Sequence, residues 1–150
     1  MTRKYVKKPK RTKLVKKLDK IFSLYIRARD SILYDNCFFC RSNPIECCFH
    51  MIRRARYSVR WDDRNAVASC NYCNYCENNN NHPFVAKYID AFGHELYLSL
   101  VEKSKIQPKH SLQELEKMIS FFEAELSAIR LNPENAVGIR DVSPINSLGA

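Results

Sequence analysis

The most regular pattern in the chain is an apolar stripe near the N-terminus. Apolar residues recur at intervals of three or four positions between residues 14 and 33, at Leu14, Leu18, Ile21, Phe22, Tyr25, Ile26 and Ile32. Lys16, Lys17, Lys20 and Arg27 fall elsewhere on the surface of the same helix. This spacing predicts an amphipathic helix over about 14–33, with its stripe packed into a core.

Helical patterns return towards the C-terminus. His82-Pro83 begins a helical stretch over about 83–104, which is interrupted at Gly93, where a left-handed helix cap fits. Ser111 and Glu114 have the spacing of a capping box, and apolar residues at helical spacing predict a further helix over about 111–130. Residues 132–150 lack periodicity and are expected to form a tail.

Short extended segments are expected between these helices. Residues 45–52 and 66–69 are apolar enough for two strands, and 59–62 is expected to be a short extended piece. A helix over about 71–79 would follow the second strand. The region about 37–81 is therefore predicted to be a β-β-α unit within a single α+β domain over about 14–131.

The net charge of +9 is concentrated in the first part of the chain. Residues 1–64 hold 18 lysines and arginines against 6 acids, whereas residues 65–150 hold 7 against 10. This asymmetry predicts a polyanionic partner, with DNA as the leading candidate. The run 1–13 is expected to be a flexible basic arm that contacts phosphates, although a solubilising tail is the alternative. Its cations include Lys7, Lys8, Lys10 and Arg11.

The apolar content indicates a folded protein without a membrane partner. Apolar residues make up 45% of the chain and aromatic residues 11%. Membrane spans need about 20 consecutive apolar residues, and no run in the sequence approaches that length. The charged N-terminus does not look like a secretory signal, so a cytoplasmic location is expected.

Four of the seven cysteines form two Cys-x-x-Cys pairs, Cys37 with Cys40 and Cys70 with Cys73. Two such pairs can supply four thiolates to one tetrahedral zinc ion. With four sulfur ligands the zinc would have no open position, so it would be structural. Four buried cysteines without a metal are the alternative. The remaining cysteines, Cys47, Cys48 and Cys76, are expected to be small buried residues.

His50 lies between the two cysteine pairs and is a candidate general base. Hydrolysis of a phosphodiester requires a base that takes a proton from water, and histidine suits this role at neutral pH. A lone histidine is more often structural. The placement of His50, with Asn65 fifteen residues on and Asn74 directly after Cys73, favours a catalytic role.

The order Cys-x-x-Cys, His, Asn, Cys-x-x-Cys-Asn resembles the zinc-containing branch of the HNH (ββα-metal) nucleases. The segment from Cys70 to Glu77 is similar to the matching segment of phage recombination endonuclease VII. Over residues 22–130 the order of motifs is similar to the NinG/Rap family of phage recombination nucleases. These motifs include Tyr25-Ile-Arg-Ala-Arg-Asp30, Arg60-Trp-Asp-Asp-Arg-Asn65 and Tyr88-Ile-x-x-Phe-Gly93.

The resemblance implies an endonuclease that cuts branched DNA, such as Holliday junctions and displacement loops, with Mg²⁺ or Mn²⁺. It implies that His50 is the general base and that Asn65 fixes the loop between the strands. Asn74 would ligate the catalytic cation, and Glu77, on the same helix face, could assist. Phe49 departs from the acidic or histidine ligand of many members. The host-cell cytoplasm is the expected location if a phage encodes the chain.

A cluster of arginines after His50 is expected to bind DNA phosphates, together with the basic arm. Its members are Arg53, Arg54, Arg56, Arg60 and Arg64. Tyr57 and Trp61 could stack on unpaired bases, although core packing is the more common role for a tryptophan.

Two other functions stay open, and so does the oligomeric state. The chain could be a non-selective or nicking HNH endonuclease. It could also be a zinc-containing DNA-binding module without catalysis, which Phe49 favours. A homodimer is expected because junction enzymes often cut two symmetric strands. The predicted helix over 111–130 is a candidate interface, unless it packs on the first helix.

Overall fold

A computed structural model describes residues 10–77 and 82–135. It is an α+β structure, as predicted, with a small two-stranded sheet among helices. In chain order the elements are α1 (Arg11–Leu33), β1 (Cys47–His50), α2 (Tyr57–Arg60), a 3₁₀ turn (Asp63–Asn65), β2 (Ala66–Ser69), α3 (Asn71–Glu77), α4 (His82–Phe92), α5 (His94–Ser104) and α6 (Leu112–Leu131). No helix among the described residues is long and apolar enough to cross a membrane.

The predicted helices and strands are present, but one segment that was predicted to be extended is helical. α1 begins three residues earlier than predicted, at Arg11, so the end of the expected arm is helical. The expected extended piece over 59–62 is wrong, because the chain there forms α2 and then the 3₁₀ turn. The Asp62 carboxylate caps that turn by accepting a hydrogen bond from the Arg64 amide at 3.1 Å. This bond closes a turn where the apolar pattern suggested a strand.

β1 and β2 form an antiparallel hairpin that carries the central residues of the β-β-α unit. Cys47 pairs with Ser69, and His50 pairs with Ala66. β2 has the predicted bounds, whereas β1 is shorter than the predicted strand over 45–52. The Met51 amide continues the ladder by donating to the Asn65 carbonyl at 2.8 Å.

α1 and α6 pack together through the two apolar stripes that the sequence predicts. The rings of Phe22 and Phe122 meet edge to face with centroids 5.0 Å apart, and Leu18 and Ile26 are fully buried. The predicted capping box at Ser111 and Glu114 starts α6. α6 packs on α1 through its buried apolar residues, which is the alternative that the sequence left open for this helix. The homodimer itself stays a prediction.

A buried ion pair joins α1 to the sheet, and the hydrophobic pattern gave no sign of it. Arg29 donates to the Asp30 carboxylate at 2.8 Å, and to the carbonyls of Asp63 and Ala66 at 2.8 Å each. Asp30 also accepts a hydrogen bond from the Ala68 amide in β2 at 2.7 Å. The pair therefore fixes the position of α1 against β2 and against the turn that precedes it.

Replacing Asp30 with alanine should destabilise the protein by about 3–5 kcal/mol, because the Arg29 charge would stay buried without its partner. Chemical denaturation at neutral pH measures the effect. Asp35→Ala is the matched control, on an exposed residue just after the same helix. Equal unfolding midpoints for the two variants would show that the pair does not contribute as described.

Candidate functional site

Four cysteine thiols converge beside the hairpin. The Sγ atoms of Cys37, Cys40, Cys70 and Cys73 all lie within 4.8 Å of one another, and those of Cys40 and Cys70 are 3.9 Å apart. Four sulfurs bound to one zinc at about 2.3 Å would be about 3.8 Å apart. The cluster could therefore hold a metal ion such as zinc, as the two Cys-x-x-Cys pairs predict.

The turn that follows Cys40 directs a backbone amide at its sulfur. Arg41 adopts a left-handed conformation with φ of 58°, which turns the chain sharply after Cys40. Its guanidinium lies 4.3 Å from the centroid of the Tyr34 ring, a contact that holds it there. The Asn43 amide donates to Cys40 Sγ at 3.5 Å. This bond lowers the pKa of the Cys40 thiol to about 7, which favours the thiolate that a metal binds.

The second pair starts α3 and places Asn74. The Cys73 amide donates to Cys70 Sγ at 3.4 Å, and the Asn74 amide donates to the Cys70 carbonyl at 3.1 Å. Asn74 is therefore fixed in the first turn of the helix, directly next to the cysteine cluster. Glu77 is the last residue of α3, and its side chain lies outside the described part of the structure.

His50 and Asn74 line the same cleft, which has a volume of about 440 Å³. His50 is the last residue of β1, and Asn74 lies in α3. The other residues that line it are Asp19, Ser23, Cys47, Cys48, Arg53 and Arg54. The structure thus brings together two of the three predicted catalytic residues and two of the predicted DNA-binding arginines.

The hydrogen bond of His50 determines which of its nitrogens is basic. Nε2 lies 2.9 Å from the Arg60 carbonyl oxygen. Because a carbonyl can only accept, Nε2 carries the proton and Nδ1 keeps a free lone pair. Burial lowers the pKa of His50 to about 4, so the ring is neutral at neutral pH. His50 is consequently held in the tautomer that can accept a proton at Nδ1.

Asn65 is fully buried and holds the segment that follows β1. Its side-chain amide donates to the carbonyls of Ile52 and Val59 at 2.9 and 3.0 Å. Its side-chain oxygen accepts from the Ile52 amide at 2.8 Å. These bonds fix the loop between the strands, the arrangement expected for Asn65, and they position α2, whose Arg60 carbonyl binds His50.

Asp19 is a residue of the cleft that the sequence analysis missed. Its carboxylate accepts two bonds from Arg60, at 2.9 and 2.6 Å, and one from the Trp61 indole at 2.9 Å. The guanidinium of Arg60 is therefore paired with Asp19, so Arg60 has a structural role at the wall of the cleft. Trp61 is buried in the α1–α6 core, as the alternative reading expected. Asp19 lies 41 positions before Arg60, and its place in the α1 pattern gave no sign of this contact.

The other predicted cations differ in their availability. Arg53, Arg54 and Arg56 are exposed, and so is Lys10. Arg64 is paired with Asp62 at 2.7 Å, and Arg11 donates to the His110 carbonyl. Lys7 and Lys8 lie outside the described residues. The exposed cations next to the catalytic candidates are thus Arg53 and Arg54, which line the cleft.

Phe49 belongs to the core and cannot contribute a ligand. It is fully buried, and its ring lies 4.5 Å from the centroid of Phe39 and 5.4 Å from that of Phe84. Position 49 is therefore used for packing.

No family model matches the sequence, and no curated protein or solved structure matches the chain.

Proposed function

We propose that this protein is a metal-dependent endonuclease of the HNH type that hydrolyses phosphodiesters in DNA. The observation that carries the proposal is that His50 and Asn74 line one cleft. A further support is the four-cysteine cluster, which would hold a structural zinc between the elements that bring them there. A cleft with a neutral imidazole, an amide oxygen and two arginines suits phosphodiester hydrolysis.

In this proposal His50 is the general base. Nδ1 takes a proton from a water molecule as that oxygen forms a bond to phosphorus. The bond between phosphorus and the leaving 3′ oxygen breaks, and the leaving oxygen takes a proton from solvent. The Arg60 carbonyl keeps the imidazole in the required orientation through the bond at Nε2. Burial and the charge of Arg54 lower the pKa of His50, and the charge of Asp19, which lines the same cleft, offsets part of that lowering.

The catalytic cation in this proposal is Mg²⁺ or Mn²⁺. Asn74 would hold it through the side-chain carbonyl oxygen, with Glu77 as the second ligand that the resemblance implies. Magnesium usually keeps several waters and uses few protein ligands together with substrate phosphates, which suits a cleft that lacks a ligand at Phe49. The cation would neutralise charge that develops on the phosphate and the leaving oxygen.

DNA would be held by cations next to the catalytic groups. Arg53 and Arg54 line the cleft, where they can contact the phosphates that flank the scissile bond. Each phosphate contact should add about −0.9 to the slope of log affinity against log salt concentration. The preference for branched DNA, and the Holliday junction as its example, are proposed from the resemblance to recombination nucleases.

A zinc-containing DNA-binding module without catalysis is the second candidate, and the buried position of Phe49 favours it. It shares the cysteine cluster and the exposed arginines with the nuclease. Unlike the nuclease, the binding module would hold no catalytic cation near His50. An assay of DNA cleavage therefore distinguishes these candidates from each other and from a nuclease without selectivity. An assay of DNA binding does not.

Incubation of the zinc-loaded protein with a labelled four-way junction and a linear duplex of matched sequence, with Mg²⁺, tests the proposal. Symmetric cuts in the junction support a structure-selective nuclease. Equal cutting of both substrates supports a non-selective or nicking HNH enzyme. Binding of DNA without a cut in either strand would refute the nuclease and leave the binding module.

A further inference from the structure

One turn of α1 contributes to the surroundings of His50. Asp19, Phe22 and Ser23 belong to that turn, and Asp19 and Ser23 line the cleft together with His50. The Phe22 and His50 rings have centroids 5.7 Å apart, and their planes are tilted by 30°. Residues three apart on a helix share a face, so Asp19 and Phe22 lie on the same side of α1. This side of α1 is therefore part of the environment of the imidazole.

The carbonyl that binds His50 belongs to the peptide bond between Arg60 and Trp61, and its oxygen lies 2.9 Å from Nε2. Asp19 holds the side chains on both sides of this peptide bond. Its Oδ1 accepts from Arg60 Nε and from the Trp61 indole at 2.9 Å each. Its Oδ2 accepts from Arg60 Nη2 at 2.6 Å. One carboxylate thus fixes the two residues joined by the peptide bond whose carbonyl orients the imidazole.

The segment that carries this carbonyl needs such support. α2 is only four residues long, and a single helical turn is not stable by itself. The side chain of Asn65 donates to the Val59 carbonyl at 3.0 Å, and Arg60 Nη1 donates to the Arg54 carbonyl at 3.2 Å. The three bonds of Asp19 join this turn to α1, the longest of the described helices. Asp19 therefore ties the position of the carbonyl to a stable element of the fold.

The same bonds make Asp19 poorly suited to bind a cation. Both carboxylate oxygens already accept from N–H donors, and 20% of the side chain is exposed. The guanidinium of Arg60 is bound to both oxygens, so its charge would repel a cation brought to the same carboxylate. The geometry instead suits a residue that acts through Arg60 and Trp61.

We propose that Asp19 is a positioning residue for His50, because it holds Arg60 and Trp61 so that the carbonyl between them fixes the imidazole. This inference rests on the proposed function, in which Nδ1 of His50 takes a proton from water. Without the bond at Nε2 the ring can rotate or change tautomer, and the lone pair on Nδ1 loses its fixed direction. Asp19 therefore contributes to the rate of cleavage without contact with the reacting atoms.

Exchange of the His50 Nε2 proton with water tests the inference without DNA. A buried proton that is bonded to a carbonyl exchanges slowly, and NMR of the zinc-loaded protein with ¹⁵N-labelled histidine follows it. Asp19→Asn keeps the size of the side chain and removes its charge. In this variant we expect exchange to be about tenfold faster, the change that loss of one typical hydrogen bond gives. The single-turnover rate of junction cleavage should fall by about 10–100-fold, the range for groups that orient the ligands of metal sites.

Asp62→Asn is the matched control for lost stability. The Asp62 carboxylate also lies in ion pairs close to α2, but its partners are Arg64 and Lys103, at 2.7 Å each. This variant should have a lower melting temperature, whereas its His50 proton exchange and its cleavage rate should stay at the wild-type values. Equally fast exchange in Asp62→Asn and Asp19→Asn would show a general loss of stability and would overturn the proposal.

Arg60→Lys changes the same contact from the other side. Lysine keeps a cation for Asp19 and a backbone carbonyl for His50, but it lacks the planar fork that binds both carboxylate oxygens. The variant should therefore fold even if Asp19→Asn does not, and its His50 proton should exchange faster than that of the wild type. Wild-type exchange in Arg60→Lys, or in Asp19→Asn, would overturn the proposal.

The outcomes distinguish the role of Asp19 from the nuclease itself. Faster exchange in Asp19→Asn, together with a wild type that cuts no DNA, supports the effect of Asp19 on His50 and refutes the nuclease. Cleavage by the wild type together with equal exchange in the two proteins leaves the nuclease intact and overturns the positioning role. A higher Mg²⁺ requirement in Asp19→Asn with unchanged exchange would make Asp19 a cation ligand, which also overturns it.

Discussion

Replacing His50 with alanine should lower the rate of DNA cleavage by about 10²–10⁴-fold, the usual contribution of a positioned general base. The reason is that Nε2 is bonded to the Arg60 carbonyl, which leaves the lone pair of the ring on Nδ1. Single-turnover cleavage of a labelled junction measures the effect. Zinc content and DNA affinity should stay close to those of the wild type, since His50 belongs to neither function.

Chemical rescue distinguishes a lost base from a distorted cleft. The His50→Ala variant leaves space for a small base in a cleft of about 440 Å³. Added imidazole should therefore restore part of the activity, with a rate that rises with the concentration of its neutral form. The exposed residue His94 provides the control, because His94→Ala should cleave at the wild-type rate. Wild-type activity in His50→Ala would show that the base is assigned to the wrong residue.

Replacing Cys70 with serine should remove the bound zinc and strongly destabilise the fold. Structural zinc sites contribute on the order of 10 kcal/mol, more than the total stability of most small domains. Cys70 lies at the centre of the cluster, since its sulfur contacts that of Cys40 and accepts hydrogen bonds from the side chain of Asn43 and the amide of Cys73. Thermal melting and metal analysis of the purified protein measure the two effects.

The matched control is Cys76→Ser, which makes the same change in α3 outside the cluster. It should retain one zinc per chain and a melting temperature near that of the wild type. Addition of a strong chelator should bring the wild type to the melting temperature of Cys70→Ser. One zinc per chain and an unchanged melt in Cys70→Ser would rule out the four-thiolate site.

The helices and the cysteine cluster could be predicted because their signals are local. The apolar stripes of α1 and α6 repeat every three or four residues, and the cysteine pairs have a spacing that few other structures require. The capping box formed by Ser111 and Glu114 likewise predicts the start of α6. Each helix and each cysteine pair is contained in a short stretch of sequence, and the two pairs come together because one zinc ion takes four ligands.

The contacts that shape the cleft could not be predicted, because they join residues far apart in sequence. Asp19 binds Arg60 and Trp61 across about forty positions, and Asp30 binds the Ala68 amide across 38. Charged residues on a predicted helix look like solvated surface until the partner is known. α2 could not be predicted because one turn of helix is too short to show a periodic pattern of apolar residues.

The Mg²⁺ dependence of junction cleavage by the wild type and by Asn74→Ala tests the central claim most directly. That claim is that His50 and Asn74 converge on one cation-bound phosphodiester in a cleft held by the cysteine cluster. The account predicts saturable, Mg²⁺-dependent cleavage by the wild type. In Asn74→Ala it predicts a rate at least about 100-fold lower and a higher Mg²⁺ requirement, with zinc content unchanged. Identical Mg²⁺ curves for the two proteins, or no cleavage by the wild type at any Mg²⁺ concentration, would contradict it.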